Sequence, residues 1–280
     1  MTATPVPTTT RYTRELTSLV AAPLVIWFVG WVPIGFAILV VLSAVLAQWE
    51  LLALGTAKGW PMQRVVPVGL LLLLIAALVR DEIALLPVLV LITLVIPSIY
   101  AIWRIELEHA LAATALCLLS ILYLGLTGAF LVKLRLDFPE GGPLVFFLLL
   151  VVWASDAGAY YTGRKFGKTK LSPRVSPKKT VEGLVGGLVS CLIVAVVTAH
   201  FLLPELPLHH AMIAGFVLGL AGVVGDLVES AWKRSAAVKD SGHLIPGHGG
   251  FLDRVDSVFF AAPILYSYWF VLAHGTGPFS

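Results

Sequence analysis

Nine stretches of this chain, near residues 16 to 31, 33 to 54, 65 to 79, 83 to 103, 110 to 132, 143 to 162, 181 to 203, 209 to 229 and 256 to 274, are almost continuously apolar. A helix needs roughly 20 mostly apolar residues to cross the hydrocarbon of a bilayer. The stretches lack the period-two alternation of a membrane strand, so they read as helices. With 59% hydrophobic residues, 12% charged residues and a mean hydropathy of +0.94, the chain carries more apolar surface than one water-soluble core could bury. The expected fold is an all-α, polytopic integral membrane protein with about nine transmembrane helices, forming a single membrane domain over residues 1–280. No linker, low-complexity tract or internal repeat divides it. The first apolar stretch, interrupted only at Gly30 to Pro33, runs on to about Leu54. That exceeds the roughly 7 to 15 residues of a signal-peptide core, so retained spans are expected rather than a removed leader.

Basic residues concentrate in cytoplasmic loops of membrane proteins. With the N-terminus inside, 16 of the 19 lysines and arginines fall on the cytoplasmic side, leaving only Arg80, Lys133 and Arg135 outside. The expected placement is the cell inner (plasma) membrane, with the N-terminus in the cytoplasm and the C-terminus outside. The polar loops 163–180 and 230–255 then face the cytoplasm, where nucleotides are. A net charge of +3, scattered along the chain, gives no reason to expect a nucleic-acid partner. Cys117 and Cys191 stand alone in apolar runs, without metal or redox spacing, and read as packing residues.

The long polar stretch from Ser230 to Asp256 interleaves acids, bases and glycines between two apolar helices. Just before it, Asp226, Glu229 and Ser230 are three and four residues apart, which places them on one helix face. Across the loop, Asp253 and Asp256 repeat the spacing of three at the start of the last helix and face back toward the first group. Helix-end acids can also reach the interface or complement a helix dipole. Carboxylates from both helices would nevertheless form an oxygen-rich site suited to Mg²⁺, which takes a few carboxylates together with phosphate oxygens and water. His243 and His248 lack a third soft ligand, which argues against zinc. Pro246-Gly-His-Gly-Gly250 can turn sharply and present N–H groups to an anion, with Lys233, Arg234, Lys239 and Arg254 around it.

The other polar loop holds Gly163-Arg-Lys-Phe-Gly-Lys-Thr, which has three residues between its glycines where a P-loop needs four and which follows a helix rather than a strand. Ser176 and Pro177 fit the cap and first position of a helix. Lys178 and Lys179 are left to meet phosphates or anionic head groups of membrane lipids. Asp156 is an intramembrane acid, hence a functional candidate, or else a partner for Arg164. Gly183 with Gly187, and Gly215 with Gly219, are four apart on apolar helices and predict close helix packing.

The segment Ser230, Lys233-Arg234, Lys239-Asp240, Pro246, His248-Gly249-Gly250 and Asp253-Arg254-Val255-Asp256 resembles the C-terminal signature of the bacterial integral-membrane phosphatidate cytidylyltransferases, also called CDP-diacylglycerol synthases. Trp232 departs from that pattern, where a smaller apolar residue is usual. The run Trp153-Ala-Ser-Asp-Ala-Gly-Ala-Tyr160 and the run Ser176-Pro-Lys-Lys-Thr-Val-Glu-Gly183 are also similar to this family. The resemblance implies transfer of the cytidylyl group of CTP to phosphatidate, giving CDP-diacylglycerol and pyrophosphate, with Mg²⁺ and K⁺ as a second cation, in a homodimer. It implies a metal centre on Asp226 and Asp253 with Asp256 nearby, and phosphate contacts at Ser230 and Lys233. The candidate catalytic residues are therefore Asp226, Asp253, Asp256 and Lys233, the three aspartates also being the metal ligands. Candidate substrate-binding residues are Ser230, Arg234, Lys239, Asp240, His248, Gly249, Gly250 and Arg254, with Lys178 and Lys179; the catalytic part spans 150–260. The rival readings are a CTP-dependent lipid kinase, a CDP-alcohol phosphotransferase and an ion-coupled transporter.

Overall fold

Every apolar stretch that falls among the described residues is helical, because a backbone in hydrocarbon must satisfy its own N–H and C=O groups. A computed structural model of the protein describes residues 23–242 and 249–274. Residues 23–31 are helical. They are followed by α1 (Pro33–Ala57), α2 (Val65–Val79), a 3₁₀ turn (Ile83–Leu85), α3 (Leu86–Arg104), α4 (Leu107–Leu136), α5 (Gly141–Phe166), β1 (Lys170–Ser172), β2 (Ser176–Thr180), α6 (Val181–Leu202), α7 (Leu208–Ser235) and α8 (Leu252–His274). Among the described residues, seven helices are long and apolar enough to cross a membrane. The expected count of nine is not confirmed among them. Helix α2 has 15 residues, about 22 Å, short of the roughly 30 Å of a hydrocarbon core. The first expected span, 16 to 31, is described only from residue 23 on.

The segment between α5 and α6 departs from the sequence reading. Instead of a helix capped by Ser176, residues 176–180 form a strand that pairs antiparallel with β1, Lys170 opposite Thr180 and Ser172 opposite Ser176. The cap falls on Thr180, whose Oγ1 accepts a hydrogen bond from Gly183 N at 3.1 Å. Thr180 is the residue at which strand pairing ends, so its hydroxyl is the first one free to serve an orphan amide of the new helix. One residue into α6, the Glu182 carboxylate accepts from Lys168 N and Thr169 N at 3.0 and 3.1 Å, fastening the hairpin to the helix.

Helix α4 runs through the middle of one half of the molecule, packing on α1, α2, α3 and α8. The other half is the group α5 to α8, in which α5 and α6 lie closest together. The predicted small-residue faces account for this approach. A Cβ at Gly183 would stand 2.8 Å from the Ala159 carbonyl oxygen, and one at Gly187 would stand 2.7 Å from that of Ser155. Gly215 and Gly219 seat α7 on Ala195 and Cys191 of α6 in the same way. Both cysteines are free and buried, as packing residues should be. At the end of the bundle remote from the hairpin, buried Lys133 pairs with Asp81 at 2.8 Å and Asp137 at 2.9 Å. Tyr266 Oη donates to Asp137 at 2.7 Å, and Arg135 Nε donates to the Val29 carbonyl at 2.8 Å. These bonds join three helical segments, residues 23–31, α4 and α8, and the α2–α3 turn.

Candidate active site

Helices α7 and α8 cross where α7 has no side chain. A Cβ at Gly225 would lie 3.0 Å from the backbone oxygen of Asp256 and 2.8 Å from Cβ of Phe260. That contact sets the next residue, Asp226, beside Asp256, and the helical spacing of three adds Glu229 from the same face. Carboxylate oxygens of Asp226, Glu229 and Asp256 come within 4.8 Å of one another. Glu229 is only 1% exposed and Asp256 only 7%. Neither Glu229 oxygen receives a hydrogen bond of ordinary geometry. Its charge is met by Lys233, one turn on, at 2.5 Å.

Lys233 also pairs closely with Asp253, so one ammonium bridges α7 and the start of α8. The second oxygen of Asp253 accepts from Ser241 N at 3.2 Å, Ser241 Oγ at 3.1 Å and Gly250 N at 3.1 Å. Asp253 thus stands beside the carboxylate group, engaged with a lysine and three donors, while Glu229 takes the third place that the sequence reading gave to Asp253. Gly249 has φ +81°, a left-handed conformation that favours glycine, and the amide that follows it points at Asp253. The Gly250 amide, expected to meet an anion, is therefore given in this conformation to a carboxylate of the protein itself. Ser230 Oγ donates to Asp226 Oδ1 at 3.2 Å.

Lys179 of the hairpin reaches across and pairs with Asp226 Oδ2 at 2.7 Å. Between the hairpin, α5, α6 and α7 lies a cavity of about 450 Å³, lined among others by Asp156, Arg164, Lys178, Lys179 and Asp226. Asp156 faces this cavity, and Arg164 donates to the Tyr160 hydroxyl at 3.4 Å. Arg234 donates to the carbonyls of Val175 and Val238, at 3.3 and 3.1 Å, tying the two polar segments together. Lys239, Asp240 and Arg254 are exposed at the same end. His248, with His243, Pro246 and Gly247, lies outside the described residues. The unusual Trp232 stacks edge-on against Tyr123, ring centres 5.2 Å apart, and the Tyr123 hydroxyl donates to the Asp256 carbonyl at 3.4 Å.

Sequence reasoning missed Glu50. This residue of α1 is 3% exposed, and its Oε2 accepts from Leu252 N at 2.8 Å and Ser241 Oγ at 3.0 Å. The signal was present: an isolated acid in an apolar run is a functional candidate, the same rule that singled out Asp156. Chemically, the site combines an all-oxygen donor set with lysines on its rim. Three clustered carboxylates, two of them buried, fit a hard divalent cation of the Mg²⁺ kind. The lysines and Arg164 along the cavity fit a polyphosphate.

The sequence profile of the cytidylyltransferase family matches residues 12–272. The phosphatidate cytidylyltransferase of Bacillus subtilis is 34% identical over 265 residues, covering 90% of this chain and 95% of that protein. That of Staphylococcus saprophyticus is 42% identical over 151 residues, covering 54% of this chain and 57% of the relative. That of Haemophilus influenzae is 40% identical over 150 residues, 50% of this chain and 52% of the relative. The chain therefore aligns with about half the length of the last two relatives and with nearly all of the Bacillus protein. With the profile matched from end to end of the helical bundle, the chain belongs to the cytidylyltransferase family.

Proposed function

We propose that this protein transfers the cytidylyl group of CTP to phosphatidate, releasing pyrophosphate and forming CDP-diacylglycerol at the cytoplasmic face of the membrane. The observation that carries the reading is the cavity in which Lys178, Lys179 and Arg164 stand on one side and the Asp226 carboxylate group on the other. Full-length similarity to a protein named phosphatidate cytidylyltransferase supports it. The arrangement at one end of the bundle supports the orientation. The hairpin, the α7–α8 segment and Glu50 all meet there, while Asp81, Lys133 and Asp137 occupy the other end.

Phosphatidate brings an ionised phosphate, so the nucleophile needs no strong general base from the protein. A lipid phosphate oxygen attacks the α-phosphorus of CTP, a new O–P bond forms, and the bond to the β-phosphate oxygen breaks with departure of pyrophosphate. Such transfers depend mainly on alignment and charge neutralisation. Lys178, Lys179 and Arg164 hold phosphate oxygens in the cavity and keep them in register with the carboxylates. Lys179 is already placed against Asp226, so binding of a nucleotide phosphate shifts this lysine from a carboxylate to a stronger acceptor. Lys233 keeps Glu229 and Asp253 paired and fixes the spacing of α7 and α8. Asp226, Glu229 and Asp256, with Asp253 beside them, would hold Mg²⁺, which supplies positive charge against the phosphate oxygens when bound. K⁺ is proposed as the second cation.

The test is purified protein in detergent with phosphatidate and CTP labelled at either the α or the γ phosphate, with and without Mg²⁺. Label from the α position should enter lipid, and label from the γ position should appear in pyrophosphate. Entry of γ-label alone into lipid would make the protein a kinase and end this reading.

A further inference from the structure

Glu50 has no part in the chemistry above, yet it is a carboxylate buried to 3% exposure at the reacting end of the bundle. It comes from α1, about 200 residues before the groups it touches. Its Oε2 accepts the Leu252 amide at 2.8 Å, so it caps the first turn of α8 from another helix, where a negative charge also meets the positive end of the helix dipole. The same oxygen lies 3.0 Å from Ser241 Oγ, which lies 3.1 Å from Asp253 Oδ2. A hydroxyl has one proton, so Ser241 serves either Glu50 or Asp253 at any moment and links the two. The packing admits no substitute on the facing backbone. A Cβ on Gly242 would strike the Glu50 carboxylate, and one on Gly250 would strike Ser241 Oγ.

We infer that Glu50 is a positioning residue: through Leu252 N and Ser241 Oγ it fixes the first turn of α8 and thereby the places of Asp253 and Asp256 relative to Asp226 and Glu229. Asp253 follows Leu252 directly, and Asp256 is one turn on, so a shift of this turn moves both carboxylates together. The role rests on the carboxylate group being the cation site proposed above.

The experiment measures Mn²⁺ binding to the full-length protein in detergent, from the loss of the free-ion EPR signal, together with the melting temperature, for wild type, Glu50→Gln and Ser241→Ala. Glutamine keeps the shape, and its oxygen in the place of Oε2 can still accept from Leu252 N and Ser241 Oγ, but it removes the charge and puts an amide NH₂ in the place of Oε1. Loss of an outer partner of a metal site weakens binding roughly 10-fold. That loss is expected for Glu50→Gln with a melting temperature near that of wild type, and Ser241→Ala should shift in the same direction by less. A lowered melting temperature with unchanged Mn²⁺ affinity would make Glu50 merely structural and overturn the inference. If Glu50→Gln does not fold, Ser241→Ala decides, and wild-type affinity in that variant overturns it. Absence of saturable Mn²⁺ binding to the wild type removes the cation site itself and the inference with it, whereas binding by wild type and equally by both variants removes only the role of Glu50.

Discussion

Replacing Gly225 by alanine tests whether the α7–α8 crossing sets the geometry of the reaction. The added Cβ would lie 2.8 Å from Cβ of Phe260 and 3.0 Å from the Asp256 carbonyl oxygen. Ordinary carbon contacts begin near 3.5 Å, so the helices must separate by roughly 0.5 to 0.7 Å at the residue adjoining Asp226. Neither obstacle is the loose end of a side chain. The carbonyl is backbone, and Phe260 Cβ moves only with α8. Overpacking of this kind costs about 1 to 3 kcal/mol of stability, which a folded membrane bundle tolerates. Displacement of reacting groups by about 1 Å can cost on the order of 100-fold in rate, so turnover should fall by roughly 10- to 100-fold. The control is Gly69→Ala on α2, where nothing lies within 4 Å of the new methyl group and the substitution favours the helix. The assay is α-labelled CTP entering lipid, normalised to protein that elutes as a single species in detergent. Turnover of Gly225→Ala within twofold of wild type would refute the argument that this contact places the carboxylates. An equal loss in Gly69→Ala would show that the effect is not specific to the crossing.

Asp226→Asn and Asp253→Asn should each abolish cytidylyl transfer at saturating Mg²⁺ while the protein still inserts; near-normal turnover in either, by the labelled assay, takes that residue out of the centre. Lys233→Met leaves Glu229 without its cation in a site that is 1% exposed. Loss of one partner of a buried pair costs about 3 to 5 kcal/mol, so this variant should melt well below wild type, and adding Glu229→Gln should restore part of the difference in a thermal scan. At the far end, Lys133→Met removes the cation between Asp81 and Asp137, which remain partly hydrated. Its cost should be smaller, roughly 1 to 2 kcal/mol, with turnover per folded molecule unchanged. A changed KM for CTP in that variant would contradict the separation of the two ends.

The spans were legible because hydropathy over 20 residues leaves a chain few choices, and each stretch among the described residues is helical within a few positions. Their polar ends were not. Helix α7 continues past Glu229 through Lys233 to Ser235, because a lysine that pairs one turn back with Glu229 prolongs the helix rather than ending it. The hairpin was missed because Ser176-Pro177 carries a strong local cap signal, and strand pairing of 176–180 with 170–172 overrode it. At the site, spacing alone put Asp226 with Glu229 and Asp253 with Asp256 on helix faces, and the bundle brings the two faces together. What spacing could not reveal is which acid Lys233 takes. Nor could it reveal that Glu50 arrives from about 200 residues away, since that contact is made only when α1, α4 and α8 pack. Trp232, a misfit against the family pattern, finds its place against Tyr123 for the same reason.

The reach of Glu50 onto the amide of Leu252 also bears on how far the molecule can be divided. A fragment beginning at Gly141 would carry every polar motif read from the sequence, the cavity and all four acids around Lys233. It would lack the group that receives the first amide of its final helix, and it would lack α4, against which that helix lies. On the proposed function, the front of the chain thus supports the reaction centre, and a fragment without it should not turn over on its own.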